Sequence, residues 1–190
     1  NSRTYQADSR TNKFNRDDNK YFSHYMPRQL TAEQLVDSLG QVAGRPKQFG
    51  LVAANTKATW LPAPDLQPHD RSKLGEVDFL KVFGQPERQS VCECDRGDDS
   101  SLGQALELLN GSFINQLLTD ESSRLHHNIR IGRSTKEIII ELYRLALSRH
   151  PSESELNHSL TYAESHADKA RALEDICWAI INKDEFLFQH

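Results

Sequence analysis

Long hydrophobic runs are missing from this 190-residue chain. No stretch approaches the roughly 20 apolar residues that a membrane-spanning helix needs. A charged-then-apolar leader is missing too, so no targeting signal is visible. The chain begins at Asn1 rather than Met, which suggests a processed protein or a piece cut from a longer one. A basic excess is also absent. The 23 Lys and Arg stand against 27 Asp and Glu, a net charge of −4, whereas a dedicated nucleic-acid binder usually carries a basic surplus. Cysteine is scarce: three residues are too few for a disulfide scaffold, and an odd count leaves at least one thiol unpaired within the chain. Cysteine usage therefore does not fix the redox compartment.

The familiar chemical signatures are likewise absent. There is no C-x-x-C-H for haem attachment, no H-E-x-x-H, no G-x-S-x-G, no P-loop and no dinucleotide fingerprint. The acidic run Glu93, Asp95, Asp98 and Asp99 lacks the calcium-loop spacing. Just ahead of a helix, it is explained by the positive end of the helix dipole.

What is present fits a polar globular chain, 26% charged and 37% hydrophobic. A chain of this length buries roughly 70% of its unfolded surface, enough for an ordinary core. Residues 1–25 hold no Val, Ile or Leu, but they do hold Tyr5, Phe14, Tyr21, Phe22 and Tyr25. Ordering each residue costs about 1–2 kcal/mol, so this segment cannot build a core of its own. It reads as an extended arm lying against either the rest of this domain or a preceding domain of a longer parent, with Tyr5 or Tyr25 anchored and the middle solvated. Five of the seven prolines fall between Pro46 and Pro86. Most of that stretch reads as irregular, with short extended pieces at Phe49–Ala53 and Thr59–Leu61, a helix near Glu76–Phe83, and Trp60 packed.

Elsewhere the pattern is helical. Capping boxes open at Thr31–Gln34, Ser101–Gln104, Ser134–Glu137 and Ser152–Glu155, each pairing a hydroxyl and a long amide or carboxylate with reciprocal backbone amides. Leu35, Leu39 and Val42 follow the first box at helical spacing, and Gly44 with Pro46 closes that helix. Leu102, Ala105, Leu106 and Leu109 form the apolar stripe expected after the second. Phe113, Ile114, Leu117 and Leu118 line a short helix after Asn110-Gly111. The helix after Ser134 is polar only along Glu137, Glu141, Arg144 and Ser148, which places it in the middle of a bundle. Leu156, Leu160 and Ala163 face inward on the next, and Leu173, Ile176, Cys177, Ile180 and Ile181 on the last.

Cys92-Glu93-Cys94 is the chief constellation. Two small side chains packed at the start of the bundle are one reading, a strained Cys92–Cys94 disulfide a second. A metal is a distant third, because a structural zinc needs four ligands and no second pair is present. Arg88 and Arg96 frame the cysteines. They either grip an external carboxylate bidentately or pair internally with Glu87, Glu93, Asp95 or Asp99. Arg88, Cys92, Cys94 and Arg96 are thus the candidate binding surface, with no catalytic residue, metal or cofactor nominated. His126 and His127 sit about 100° apart on a helix, which suits one inward and one outward ring. Cys177 reads as an inert core thiol.

Several pieces carry a resemblance: SRTYQ at Ser2–Gln6, PRQLTAEQLVD at Pro27–Asp37 and the run from Phe83 to Gly111, with ELYRLALSRHPSESEL at Glu141–Leu156 and WAIINKDEFLFQH from Trp178 onward. Together they resemble the planctomycete-type C-terminal domain of unknown function, found in large envelope proteins alongside c-type cytochrome-like modules. The resemblance implies an extracytoplasmic address and partners among the other domains of a parent protein. The expected fold is all-α. Residues 1–30 are the arm and 31–190 one helical domain, with 45–99 largely irregular and 100–190 the main bundle. The expected role is a non-catalytic interaction or structural module. The alternative is a redox-linked accessory, or an enzyme domain acting on a polymer such as polysaccharide.

Overall fold

The computed structural model describes residues 3, 6–18, 20–45, 56–60, 79–80, 82–83 and 102–189. Helix is the dominant element among them. Helix α1 spans Ala32–Ala43, and a single 3-10 turn covers Ala58–Trp60. Seven further helices follow: α2 Leu102–Asn110, α3 Ser112–Thr119, α4 Arg124–Arg130, α5 Thr135–Leu147, α6 Glu153–Ser165, α7 Lys169–Ile181 and α8 Asp184–Leu187. The only sheet among the described residues is an antiparallel pair, β1 Arg28–Gln29 with β2 Phe188–Gln189.

Local chemistry sets most of the helix starts. The hydroxyls of Thr31, Ser134 and Ser152 each accept from the backbone amide three residues on, and each box is closed reciprocally. Each such cap contributes about 1 kcal/mol. The Ser101 box lies outside the described residues. Gly44 ends α1 at φ 65°, the left-handed conformation that glycine adopts without Cβ strain.

Helix α5 is central, packing against α1, α6, α7 and α8. Ile138, Ile139, Leu142 and Tyr143 form its buried face. Leu35, Val36 and Leu39 of α1 and Leu173, Ile176, Ile180 and Ile181 of α7 complete the same core. A helical turn holds Phe79, Leu80 and Val82, as expected near Glu76–Phe83. Its Phe79 stacks on Phe83 at 4.3 Å and meets Phe113 at 5.1 Å.

Three details of the sequence reading are corrected. Thr59 belongs to a helical turn rather than an extended piece, because the Asp37 carboxylate accepts from the amides of Ala58 and Thr59 and curls the chain there. Trp60, expected to pack, is 69% exposed. On α2, Gln104 and Leu108 are buried while Leu106 and Leu109 face out, so these two members of the stripe read from spacing lie off the buried face.

Residues 6–27 contain turns and bends and no helix or strand among those described. The chain doubles back there, since Tyr25 donates its amide to the Asp8 carbonyl at 3.1 Å. The Asp18 carboxylate accepts from the amides of Lys20, Tyr21 and Ser23 and from the Ser23 hydroxyl. Those bonds, the Ser23 hydroxyl first, hold its pKa far below the usual carboxylate range.

Candidate functional site

The segment from Gly84 to Ser101, with Arg88, Cys92, Cys94 and Arg96, lies outside the described residues. Its N-terminal neighbour Phe83 is buried against Phe79. Among the described residues the polar side chains converge in three places.

The most developed cluster gathers around Arg149, just beyond the C-terminal end of α5. Its Nε and Nη2 donate to Glu185 on α8 at 2.6 and 2.7 Å. Its Nη1 and Nη2 donate to Glu155 on α6 at 2.8 and 3.0 Å. The second Nη1 hydrogen reaches the His150 carbonyl at 3.0 Å. All five guanidinium donors are therefore used, in the fork geometry that suits two carboxylates. Lys183 also donates to Glu155, at 2.5 Å, and to the Tyr143 hydroxyl at 3.5 Å. The Tyr143 ring carries Arg149 at 5.5 Å and Lys183 at 5.1 Å.

These contacts shape the charges. Arg149 holds the Glu155 carboxyl far below its ordinary range, against the opposing effect of burial and with help from Lys183 and Ser152. Arg149 lowers Glu185 likewise, and Glu185 and then Glu155 raise the guanidinium in return. Burial works against the Lys183 ammonium, but Glu155 outweighs it and the net shift is upward. Two cations and two carboxylates cancel within one contact network, and no donor of the guanidinium is left for a ligand. The cluster fastens α5, α6 and α8 together.

A second cluster centres on Glu141 of α5. It accepts from Arg133 and from Asn128 Nδ2 at 3.1 Å, with Arg124 at 3.8 Å. These partners tie α4 and the following turn to α5. Arg144 lines the open groove beside it with Ile140 and Leu145.

The third lies between α4 and α7. His126 Nε2 meets Glu174 Oε1 at 2.9 Å, and Arg171 stands 3.5 Å from the same carboxylate. Thr119, Arg130 and Asp168 line the shallow opening around it. A histidine oriented by a glutamate is half of an acid–base arrangement. The nearby hydroxyl of Thr119 donates to the Asn115 carbonyl of its own helix at 2.9 Å, so it is committed to the backbone. The pair bridges two helices. His127 is exposed, so the adjacent histidines do take one inward and one outward position.

Cys177 is 4% exposed on the inward face of α7, and burial pushes its thiol up to about 12. Its neighbour Trp178 donates from the indole nitrogen to the Leu109 carbonyl at 3.3 Å and anchors the end of α2. No group of three or more His, Cys, Asp and Glu among the described residues is arranged to hold a metal ion. No helix among them is long and apolar enough to cross a membrane.

The Arg149 cluster escaped the sequence reading because its partners stand six and 36 positions away. In the sequence Glu155 reads as a capping residue, and its distance from Lys183 and Glu185 leaves no local signal of their contact. No curated protein and no solved structure matches the chain. The family model PSD1, described as protein of unknown function (DUF1553), matches residues 1–163, most of the chain. With its helical core and the spread of that match, the chain belongs to the PSD1 family.

Proposed function

We propose that this chain is a non-catalytic interaction module of a larger extracytoplasmic protein, docking onto other domains of the same polypeptide, cytochrome-like modules among them. The observation that carries this reading is the outer face of α2. Leu106 and Leu109 are 52% and 45% exposed, yet the helix beneath them is fixed. Leu108 is buried, and Trp178 holds the Leu109 carbonyl. Apolar side chains held outward on a firm backing are what a docking face requires. The convergent polar groups, by contrast, are spent on joining helices.

The resemblance to a C-terminal domain of large envelope proteins supports the same reading. An N-terminal arm reaching towards a preceding domain belongs to this proposal. So does a contact surface at Arg88, Cys92, Cys94 and Arg96, reached from the core at Phe83.

The test is calorimetric titration of this chain against the separately expressed neighbouring domains of its parent. Leu106→Asp and Leu109→Asp should abolish binding while leaving the thermal transition unchanged. Absence of binding by the unaltered chain, or binding indifferent to both substitutions, would refute the proposal.

A further inference from the structure

The loop of residues 10–22 has an unusual surface. Phe14 is 85% exposed, Tyr21 78% and Phe22 52%. Lys13 stands 4.9 Å from the centre of the Phe14 ring and Lys20 stands 5.7 Å from that of Tyr21. Arg10 and Arg16 are exposed on the same loop. The carboxylates are largely withdrawn: Asp8 is paired with Arg10, and Asp18 is turned onto the loop's own amides. Only Asp17 remains exposed there as a free-standing acid. Phe22 has φ 52°, a left-handed conformation that is uncommon for a bulky side chain. The Asp18 bonds to Tyr21 and Ser23 flank it and hold it in place.

Charge is divided along the chain in the same sense. Residues 1–28 hold six Lys and Arg against three Asp, or +3, which leaves −7 on residues 29–190 from the total of −4. We infer that this loop is a contact site for an anionic lipid surface. Two phenylalanines without a polar atom, a tyrosine and the three cations Lys13, Arg16 and Lys20, beside the Arg10–Asp8 pair, supply both parts of interfacial binding: apolar rings for the acyl boundary and cations for headgroup phosphates. A protein pocket would require shape complementarity to each ring, whereas a bilayer accepts rings at any spacing. The acidic remainder does not prevent the approach. At physiological ionic strength charges beyond about 8 Å are screened, so the surface responds to the loop it touches. This inference is independent of the docking role of α2.

The experiment is flotation of the full chain with vesicles of phosphatidylcholine alone and of phosphatidylcholine mixed with phosphatidylglycerol. Binding is expected to the mixed vesicles and to weaken as salt is raised. Lys13→Ala and Lys20→Ala should each lower the partition coefficient about fivefold. Phe14→Ser should lower it about tenfold or more. All three side chains are exposed, so the circular dichroism spectrum should not change. Failure to bind the mixed vesicles, or binding insensitive to these substitutions, would overturn the inference. So would sedimentation showing that Phe14 and Tyr21 instead join two copies of the chain in the absence of lipid.

Discussion

Arg149 and Glu155 face each other across the turn between α5 and α6, joined by two parallel hydrogen bonds of 2.8 and 3.0 Å. The same glutamate accepts from the Ser152 amide at 2.8 Å, so one carboxylate both caps α6 and secures the end of α5. The junction extends to the two short strands among the described residues. Glu185 lies on α8, which leads directly into β2, and β2 pairs with β1 while Leu30 donates to the Leu187 carbonyl at 2.9 Å.

Replacing Arg149 by Ala should therefore destabilise more than a surface ion pair would. Glu155 and Glu185 would be left facing each other with only Lys183 to compensate. Hydrogen bonds to charged groups are worth about 1.5–3 kcal/mol each before relaxation. The site is partly exposed, so a net loss of about 2–3 kcal/mol in a urea titration is expected. Arg149→Lys should recover little of it, because an ammonium cannot fork to two carboxylates.

The same cluster gives a dependence on acid. Glu155 and Glu185 both have folded-state pKa values depressed by Arg149. Their stabilisation is fully present above the unfolded glutamate value of about 4.3 and is lost as pH falls through the lower folded values. Melting temperature should hold steady from neutrality to about pH 5 and then decline. Glu155→Gln should start lower at neutral pH and decline less, so that the two proteins converge in acid. Parallel curves for the two would contradict the assignment.

Much of the fold was legible because its signals are local. The hydroxyls of Thr31, Ser134 and Ser152 and the carboxylate or amide three residues later announce helix starts within four positions. Cys177 was legible because Leu173, Ile180 and Ile181, at i−4, i+3 and i+4, are apolar. The face of α2 was not. Leucines at 102, 106 and 109 and a fourth at 108 allow two stripes, and only tertiary packing selects Leu108 for burial. Trp60 was misread for a similar reason, since a large ring signals a contact but not whether this chain supplies it. The Arg149 hub needs partners far apart in sequence, which spacing cannot reveal.

Cys177 should resist modification in the folded protein. A thiol raised to about 12 is almost wholly protonated at neutral pH, and its burial blocks the reagent as well. Labelling with an aromatic disulfide should be slow in buffer and immediate in denaturant, read on a variant in which Cys92 and Cys94 are serine. Cys177→Asp should cost several kcal/mol or prevent folding, because it would place an unpaired charge in the core. Rapid labelling in buffer would show that α7 opens far more readily than its packing implies.

Two glycines offer a controlled comparison of backbone strain with packing. Gly44 and Gly132 have φ values of 65° and 77°, so each is left-handed and each resists a side chain on conformational grounds alone. That strain is worth about 1–2 kcal/mol for alanine. The surroundings differ. A Cβ at Gly132 would meet nothing within 4 Å, whereas one at Gly44 would come within 2.9 Å of both Cβ and Nε of Arg124. The Nε can swing away, but the Cβ of Arg124 is fixed by α4. Gly132→Ala should therefore lose only the conformational part, and Gly132→Asn should lose less, since asparagine tolerates the left-handed region. Gly44→Ala should lose that part and a further packing contribution of about 1 kcal/mol or more. Adding Arg124→Gly to Gly44→Ala should recover the packing contribution but not the strain, so the double variant should resemble Gly132→Ala once the cost of Arg124→Gly alone is subtracted. Equal losses at the two glycines would mean that α1 and α4 yield to the added methyl group and are less firmly packed than the contact distance indicates.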